Sequence, residues 1–191
     1  SANSLSKGKI IGWFQGRMEY GPRALGNRSI IGDPRLSNMQ RDMNIKIKNR
    51  ESFRPFAPAI LDGFENQYFG LENESPYMLF TRNLSKEFLK KNSNKLNGLN
   101  KVNEIRSSVP AITHVDNSCR VQSVSKKLNS KFWKLINEFE KLTNIPVVLN
   151  TSFNVKGEPI VNDSDDAIRC FKKYNIDYLV IGTNLIEKSK R

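Results

Sequence analysis

The stretch LNSKFWKLINEFEKLTNIPVVLN, residues 128–150, changes its hydrophobic period halfway along. Over its first part Leu128, Phe132, Leu135, Ile136, Phe139 and Leu142 recur at spacings of three and four, which places them on one stripe of a helix. The apolar run IPVVLN follows and reads as a short buried strand. A helix with one apolar stripe feeding a buried strand is a unit of an α/β layered fold.

The alternation continues on both sides. Downstream, NDSDDAIRCFKKYN (162–175) opens on an Asp and Ser cluster suited to capping a helix, and DYLVIGT (177–183) supplies another apolar strand. Upstream, KIIGWFQG (9–16) is rich in β-branched and aromatic residues and closes on glycine, as a buried strand does. MQRDMNIKIKNRE (39–51) has Met39, Met43 and Ile47 at helical spacing, and the chain then turns extended at RPFAPAIL because Pro55 and Pro58 cannot continue a helix. Between Arg82 and Arg106 the composition drifts into Lys and Asn, as in KKNSNKLNGLNK (90–101), and this stretch reads as a mobile insertion in a single domain spanning 1–191. No fixed-period repeat supports a solenoid.

With 191 residues and 38% hydrophobic content, the chain is long enough to bury a real core. A formal charge of +12 favours nucleic acid, an anionic membrane surface or phosphorylated small molecules as partners. No apolar run reaches the roughly 18 to 20 residues that a bilayer requires, and no hydrophobic signal segment opens the chain. Cys119 and Cys170 lie far apart without metal-ligand spacing, so neither a zinc site nor a disulfide framework is expected and the cytoplasm fits.

Three segments carry candidate chemistry. GRMEYGPRALGNRS (16–29) threads Arg17, Arg23 and Arg28 between glycines, an arrangement that asks for an anion among the guanidinium groups, either a ligand or carboxylates such as Glu19 and Asp33. NIKIKNRESFRPFAP (44–58) holds Lys46, Lys48, Arg50 and Arg54 with Phe53 and Phe56 as core anchors; the alternative is a solvated basic helix end. LNTSFNVKGEP (149–159) places Asn150, Thr151, Ser152 and Asn154 at the carboxyl end of a buried strand, where α/β folds bind ligands, although an Asx-rich turn would look the same. His114, the only histidine, sits beside Asp116 and Arg120 in THVDNSCRVQ (113–122) and is assigned no metal.

Taken in order, GRMEYGPRALGNRSI, NRESFRPFAPAIL, THVDNSCRVQ and PVVLNTSFNVKGEPIV resemble the carboxyl-terminal domain of the nodulation-protein-U-type O-carbamoyltransferases. The resemblance implies a YrdC-like fold, a twisted mixed sheet flanked by helices. It also implies an incomplete enzyme, because in that family this domain is coupled to an actin-like amino-terminal domain that holds a metal and the acceptor alcohol. Family members use carbamoyl phosphate and ATP to make a carbamoyl adenylate in the YrdC-like domain, and the carbamoyl group then passes to a hydroxyl. Positions matching the family's nucleotide and carbamoyl phosphate site are Arg23, Lys48, Arg54, Arg120, Asn150 and Ser152, with Lys48 and Arg54 expected to act in catalysis. Mg²⁺ would accompany ATP, and no metal ligand is assigned in this chain. Asn117 and Cys119 stand where the family pattern has Gly and a small residue, beside Arg120. Two other classes remain in view, an RNA-binding or tRNA-modification module and a non-catalytic docking domain. Between Arg82 and Arg106 only Phe88 is aromatic, which disfavours base stacking and makes nucleic acid an unexpected partner.

Overall fold

A computed structural model describes residues 1–91, 101–102 and 104–189. Among the described residues, the pairing of eight strands sets the architecture. The strands are β1 (Ile11–Phe14), β2 (Arg28–Gly32), β3 (Ala57–Leu61), β4 (Phe80–Asn83), β5 (Ser118–Val124), β6 (Val147–Ser152), β7 (Tyr178–Ile181) and β8 (Asn184–Glu187). They form one sheet in the order β4-β5-β3-β6-β2-β1-β7-β8. Strands β5 and β3 run parallel, as do β1 and β7, and every other neighbouring pair is antiparallel. The sheet is therefore mixed, with β6 held between β3 and β2.

Helices cover both faces. On one face α1 (Ala2–Ser6) and α4 (Ser130–Thr143) pack Leu5, Phe132, Leu135, Ile136 and Phe139 against Ile11, Ile31, Ala59 and Val148. Each of those large α4 side chains contributes roughly 2 kcal/mol by leaving water. On the other face α2 (Met39–Lys46), α3 (Glu65–Phe69) and α5 (Ser164–Lys173) bury Met39, Met43, Tyr68, Phe69, Cys170 and Phe171 against Ile30, Ile60 and Leu149. The expected α/β fold, a mixed sheet flanked by helices, is the one the chain adopts.

Caps decide where the two long helices start. Asn129 accepts a hydrogen bond from the Phe132 amide, so Leu128 precedes α4 and is exposed, and Leu142 in its last turn is exposed as well. These two leucines are thus a correction to the predicted apolar stripe, whose middle is fully buried. Asp163 accepts from the Asp166 amide and caps α5 as its sequence suggests.

The 82–106 stretch is more integrated at its ends than its composition suggests. Arg82 and Asn83 belong to β4, Leu84 and Arg106 are buried, and Leu89 bridges Ser107. Residues 92–100 and 103, the centre of the expected insertion, lie outside the described residues. Among the described residues no helix is long and apolar enough to cross a membrane. Cys119 and Cys170 are both free and buried.

Candidate functional site

The carboxyl end of β6 is the organising point. Ser152 ends the strand in register with Ser29 of β2, and the chain turns away through Asn154 to Gly157. Facing it is the turn after α2, where Lys48 is buried to 4% exposure and its ammonium is ringed by acceptors. Nζ donates to the Ser152 carbonyl, to Ser152 Oγ at 3.3 Å, and to the carbonyl and Oδ1 of Asn154, each at 2.9 Å. Ser152 Oγ in turn donates to Asn154 Oδ1 at 2.6 Å. Burial, with the Arg50 charge beside it, pushes the Lys48 amine down to about 7.

Arg50 and Arg54 complete this side. Asn44, buried on α2, accepts from Arg50 Nε at 2.6 Å and donates to the carbonyls of Ser52 and Arg54, which locks the turn to the helix. Arg50 also lies over the Phe56 ring at 5.0 Å, and Arg54 Nε pairs with Glu51 at 2.9 Å. Burial first, then the neighbouring Arg54 charge, lowers the pKa of Arg50. A concave cavity of about 270 Å³ is lined by Lys48, Arg50, Arg54, Ser152, Asn154 and Lys156 among others. Four cations there face only Glu51 and Glu158, so the cavity is electropositive. The structure places Phe56 in the core but leaves Phe53 more than half exposed, so only one of the two expected anchors serves.

A second group lies under the glycine-rich loop between β1 and β2. Asn150, 1% exposed, donates through Nδ2 to the Ala24 carbonyl at 3.0 Å and to Gln122 Oε1 at 2.8 Å. Gln122 on β5 donates to the Leu25 carbonyl at 2.9 Å. Two buried amides thus tether the loop that carries Arg23. Arg120 lies two residues from Gln122 on β5, on the same strand face, and its pKa falls through burial first and then the charge of Arg23. Among the described residues neither Arg23 nor Arg120 has an ion pair, and Arg120 Nε and Asn150 Oδ1 are buried without a partner.

Lys48, Arg54 and Ser152 therefore share one cavity, Arg23 and Arg120 neighbour one another, and Asn150 connects to the second group through Ala24. Asn150 and Ser152, two apart on β6, face the same way and link the groups. Arg50 and Asn154, named with their segments but not among the positions matching the family site, line the cavity too, and Lys156 joins them without having been singled out.

The three loop arginines do not act alike. Arg28 is buried, lies 3.6 Å from the centre of the Phe14 ring, and donates to the carbonyls of Gln15, Gly16, Asn27 and Asn162. Its guanidinium is taken up by these carbonyls with the Glu19 charge nearby, which corrects the expectation that all three surround one ligand. The internal anion is Glu19, whose Oε1 accepts from the amides of Leu25 and Asn27 at 2.7 Å each and from that of Arg28 at 3.4 Å. Arg17 and Arg23 are exposed. His114 contacts Ser118 Oγ at 3.4 Å, and burial lowers its pKa.

Residues 2–188 match the family described as Carbamoyltransferase C-terminus. Nodulation protein NolO of Bradyrhizobium diazoefficiens is 42% identical over 189 residues, covering 98% of this chain and 32% of that protein. The 3'-hydroxymethylcephem-O-carbamoyltransferase of Streptomyces clavuligerus is 33% identical over 181 residues, covering 95% of this chain and 31% of that protein. The chain thus spans about a third of the length of the curated relatives it matches. In fold it is similar to HypF of T. kodakarensis, with a TM-score of 0.55 at 16% identity, over 97% of this chain and 20% of that one. With a match across nearly every residue, the chain belongs to the carbamoyltransferase C-terminal family.

Proposed function

We propose that this domain activates the carbamoyl group for an O-carbamoyltransferase, binding ATP and carbamoyl phosphate and forming a carbamoyl adenylate. The observation that carries the reading is the electropositive cavity in which Lys48, Arg50 and Arg54 face the neutral Ser152 and Asn154 side chains at the β6 end. Family membership supplies the reaction class, and the name of the cephem enzyme supports transfer to a hydroxyl.

The donor set fits phosphate oxygens. Arg54 offers a planar fork at the cavity rim, while Lys48, held by Ser152 and Asn154, provides a fixed charge behind it. Arg23 and Arg120, lacking carboxylate partners, gain an anion between them when a phosphate group approaches. In the reaction a carbamate oxygen bonds to the α-phosphorus of ATP and pyrophosphate leaves. Inorganic phosphate departs from carbamoyl phosphate with the consumption of one water. The cations lower the repulsion between these anions and stabilise charge as it develops. Mg²⁺ would arrive on the nucleotide phosphates, because the described residues contain no group of three or more metal-ligating His, Cys, Asp or Glu side chains. An actin-like domain of the same longer protein would take the carbamoyl group to its acceptor, in the cytoplasm. The test is carbamoyl-phosphate-dependent exchange of labelled pyrophosphate into ATP by the longer enzyme containing this domain. Exchange that is absent, or that proceeds without carbamoyl phosphate, would overturn the reading.

A further inference from the structure

Lys48 is set apart by what surrounds its amine as much as by its depth. The residue is 4% exposed, and the acceptors around Nζ are the carbonyls of Ser152 and Asn154, Asn154 Oδ1 and Ser152 Oγ, all of them neutral. Among the described residues no carboxylate forms an ion pair with it. The turn after α2 brings Arg50, Glu51 and Arg54 to its cavity, the turn after β6 brings Lys156 and Glu158, and α5 contributes the Cys170 thiol. Both carboxylates are committed elsewhere, Glu51 to Arg54 at 2.9 Å and Glu158 to Lys173 at 3.3 Å.

An ammonium in this setting has lost its water shell without gaining a counter-ion, and Arg50 repels it, so its proton is weakly held. Loss of that proton leaves two N–H donors, enough for the carbonyls of Ser152 and Asn154, together with a lone pair on the nitrogen. With the amine brought down to about 7, a large fraction is neutral where an ordinary lysine is almost wholly protonated. Desolvation beside a second cation is a recognised way of turning lysine into a nucleophile. The amine lines a cavity of about 270 Å³, the one assigned above to phosphorylated substrates.

We propose that Lys48 is a carbamoylation site: Nζ adds to cyanic acid, the small neutral electrophile that carbamoyl phosphate releases on decomposition, and the uncharged ureido product leaves the cavity one cation short. The step balances as an addition. The nitrogen lone pair forms a bond to the carbon of HN=C=O, the C=N π pair takes up a proton, and the amine nitrogen gives one up, so nothing leaves. The supply of cyanic acid rests on the function proposed above, whereas the reactivity of the amine does not.

The experiment exposes the whole chain briefly to potassium cyanate and measures carbamoylation at every lysine by peptide mass spectrometry. Dividing the rate at Lys48 by that at an exposed lysine such as Lys127 cancels the protonation of the probe. At pH 6 Lys48 should react at least about tenfold faster, since its gain in neutral amine exceeds what burial withholds. The ratio should hold steady below pH 7 and fall from pH 7 to pH 9, because Lys48 is by then neutral while ordinary lysines are still gaining neutral amine. The chain unfolded in guanidinium chloride should show no such advantage. ATP should slow the reaction at Lys48 alone; a Lys48 that reacts fast and is indifferent to ATP remains a modification site and counts against the nucleotide reading. The proposal is overturned if Lys48 reacts no faster than Lys127 at pH 6, if the ratio does not fall above pH 7, or if the advantage survives unfolding. Absence of carbamoyl-phosphate-dependent exchange in the longer enzyme would sink the proposed reaction and leave these three results untouched.

Discussion

Nζ of Lys48 lies 2.9 Å from Oδ1 of Asn154, although 106 positions separate the two residues in the chain. That contact joins the turn after α2 to the turn after β6 and puts a buried amine at the back of the electropositive cavity. Its consequences can be read in pH.

With its pKa at about 7, the folded Lys48 amine is charged below neutrality and loses its proton as pH rises through that value. Binding of ATP should therefore weaken from pH 6 to pH 8, and Lys48→Met should flatten that dependence. Stability moves in the opposite sense. The unfolded lysine keeps its proton to about pH 10, so between about 7 and 10 the unfolded state binds more protons and the parent should gain stability relative to Lys48→Met as pH rises. Urea midpoints of both proteins across this range check the sign.

Arg23 and Arg28 sit five positions apart but should respond differently to substitution. Arg23→Ala should leave the thermal midpoint almost unchanged and weaken ATP binding about tenfold, as for a lost charged contact to phosphate. Arg28→Met should unfold easily, with a loss of about 3 kcal/mol, because four carbonyls lose their buried donor. Calorimetry for binding and for unfolding separates the two.

Gly26→Ala tests the packing of the glycine-rich loop on α4. Gly26 has φ of 106°, and an added Cβ would stand 2.2 Å from Cδ1 of the fully buried Phe132. A cost of about 2–4 kcal/mol is expected from strain and overpacking together. Chemical denaturation measures it, and a loss below 1 kcal/mol would show that Phe132 yields.

Gln122→Leu should cost about 2 kcal/mol, since it removes a donor from Leu25 O and an acceptor from Asn150 inside the fold. It should also raise the KM for ATP by loosening the loop that carries Arg23. Steady-state kinetics of the longer enzyme, together with its melting temperature, would show both effects.

The α/β layering was legible because α4 and β6 advertise themselves by period. Phe132, Leu135, Ile136 and Phe139 form an unambiguous stripe, and the branched Val147 and Val148 can go only into a core. Strands β2 and β5 were not read from the sequence. They bury Arg28, Ser29, Gln122 and Ser123, polar residues that find partners in the loops above them and so break the apolar pattern a strand normally shows. The candidate site divides along the same line. Lys48, Arg54 and Ser152 could be picked out as a cationic and hydroxyl set, whereas the tether from Asn150 through Gln122 to the Arg23 loop depends on β5 lying two strands from β6. No local pattern encodes that adjacency.

The position of β6 has a further consequence for how the domain can change. This strand is the fourth of eight, paired along both edges, and it supplies both Asn150 and Ser152. Freeing its amides requires breaking the sheet at its centre, so their hydrogen exchange should proceed only through global opening. A ligand platform set in the least yielding strand is insulated from fluctuations at the rim. The loops bearing Arg23 and Arg54 are where recognition can drift over generations, while the strand beneath them holds its coordinates.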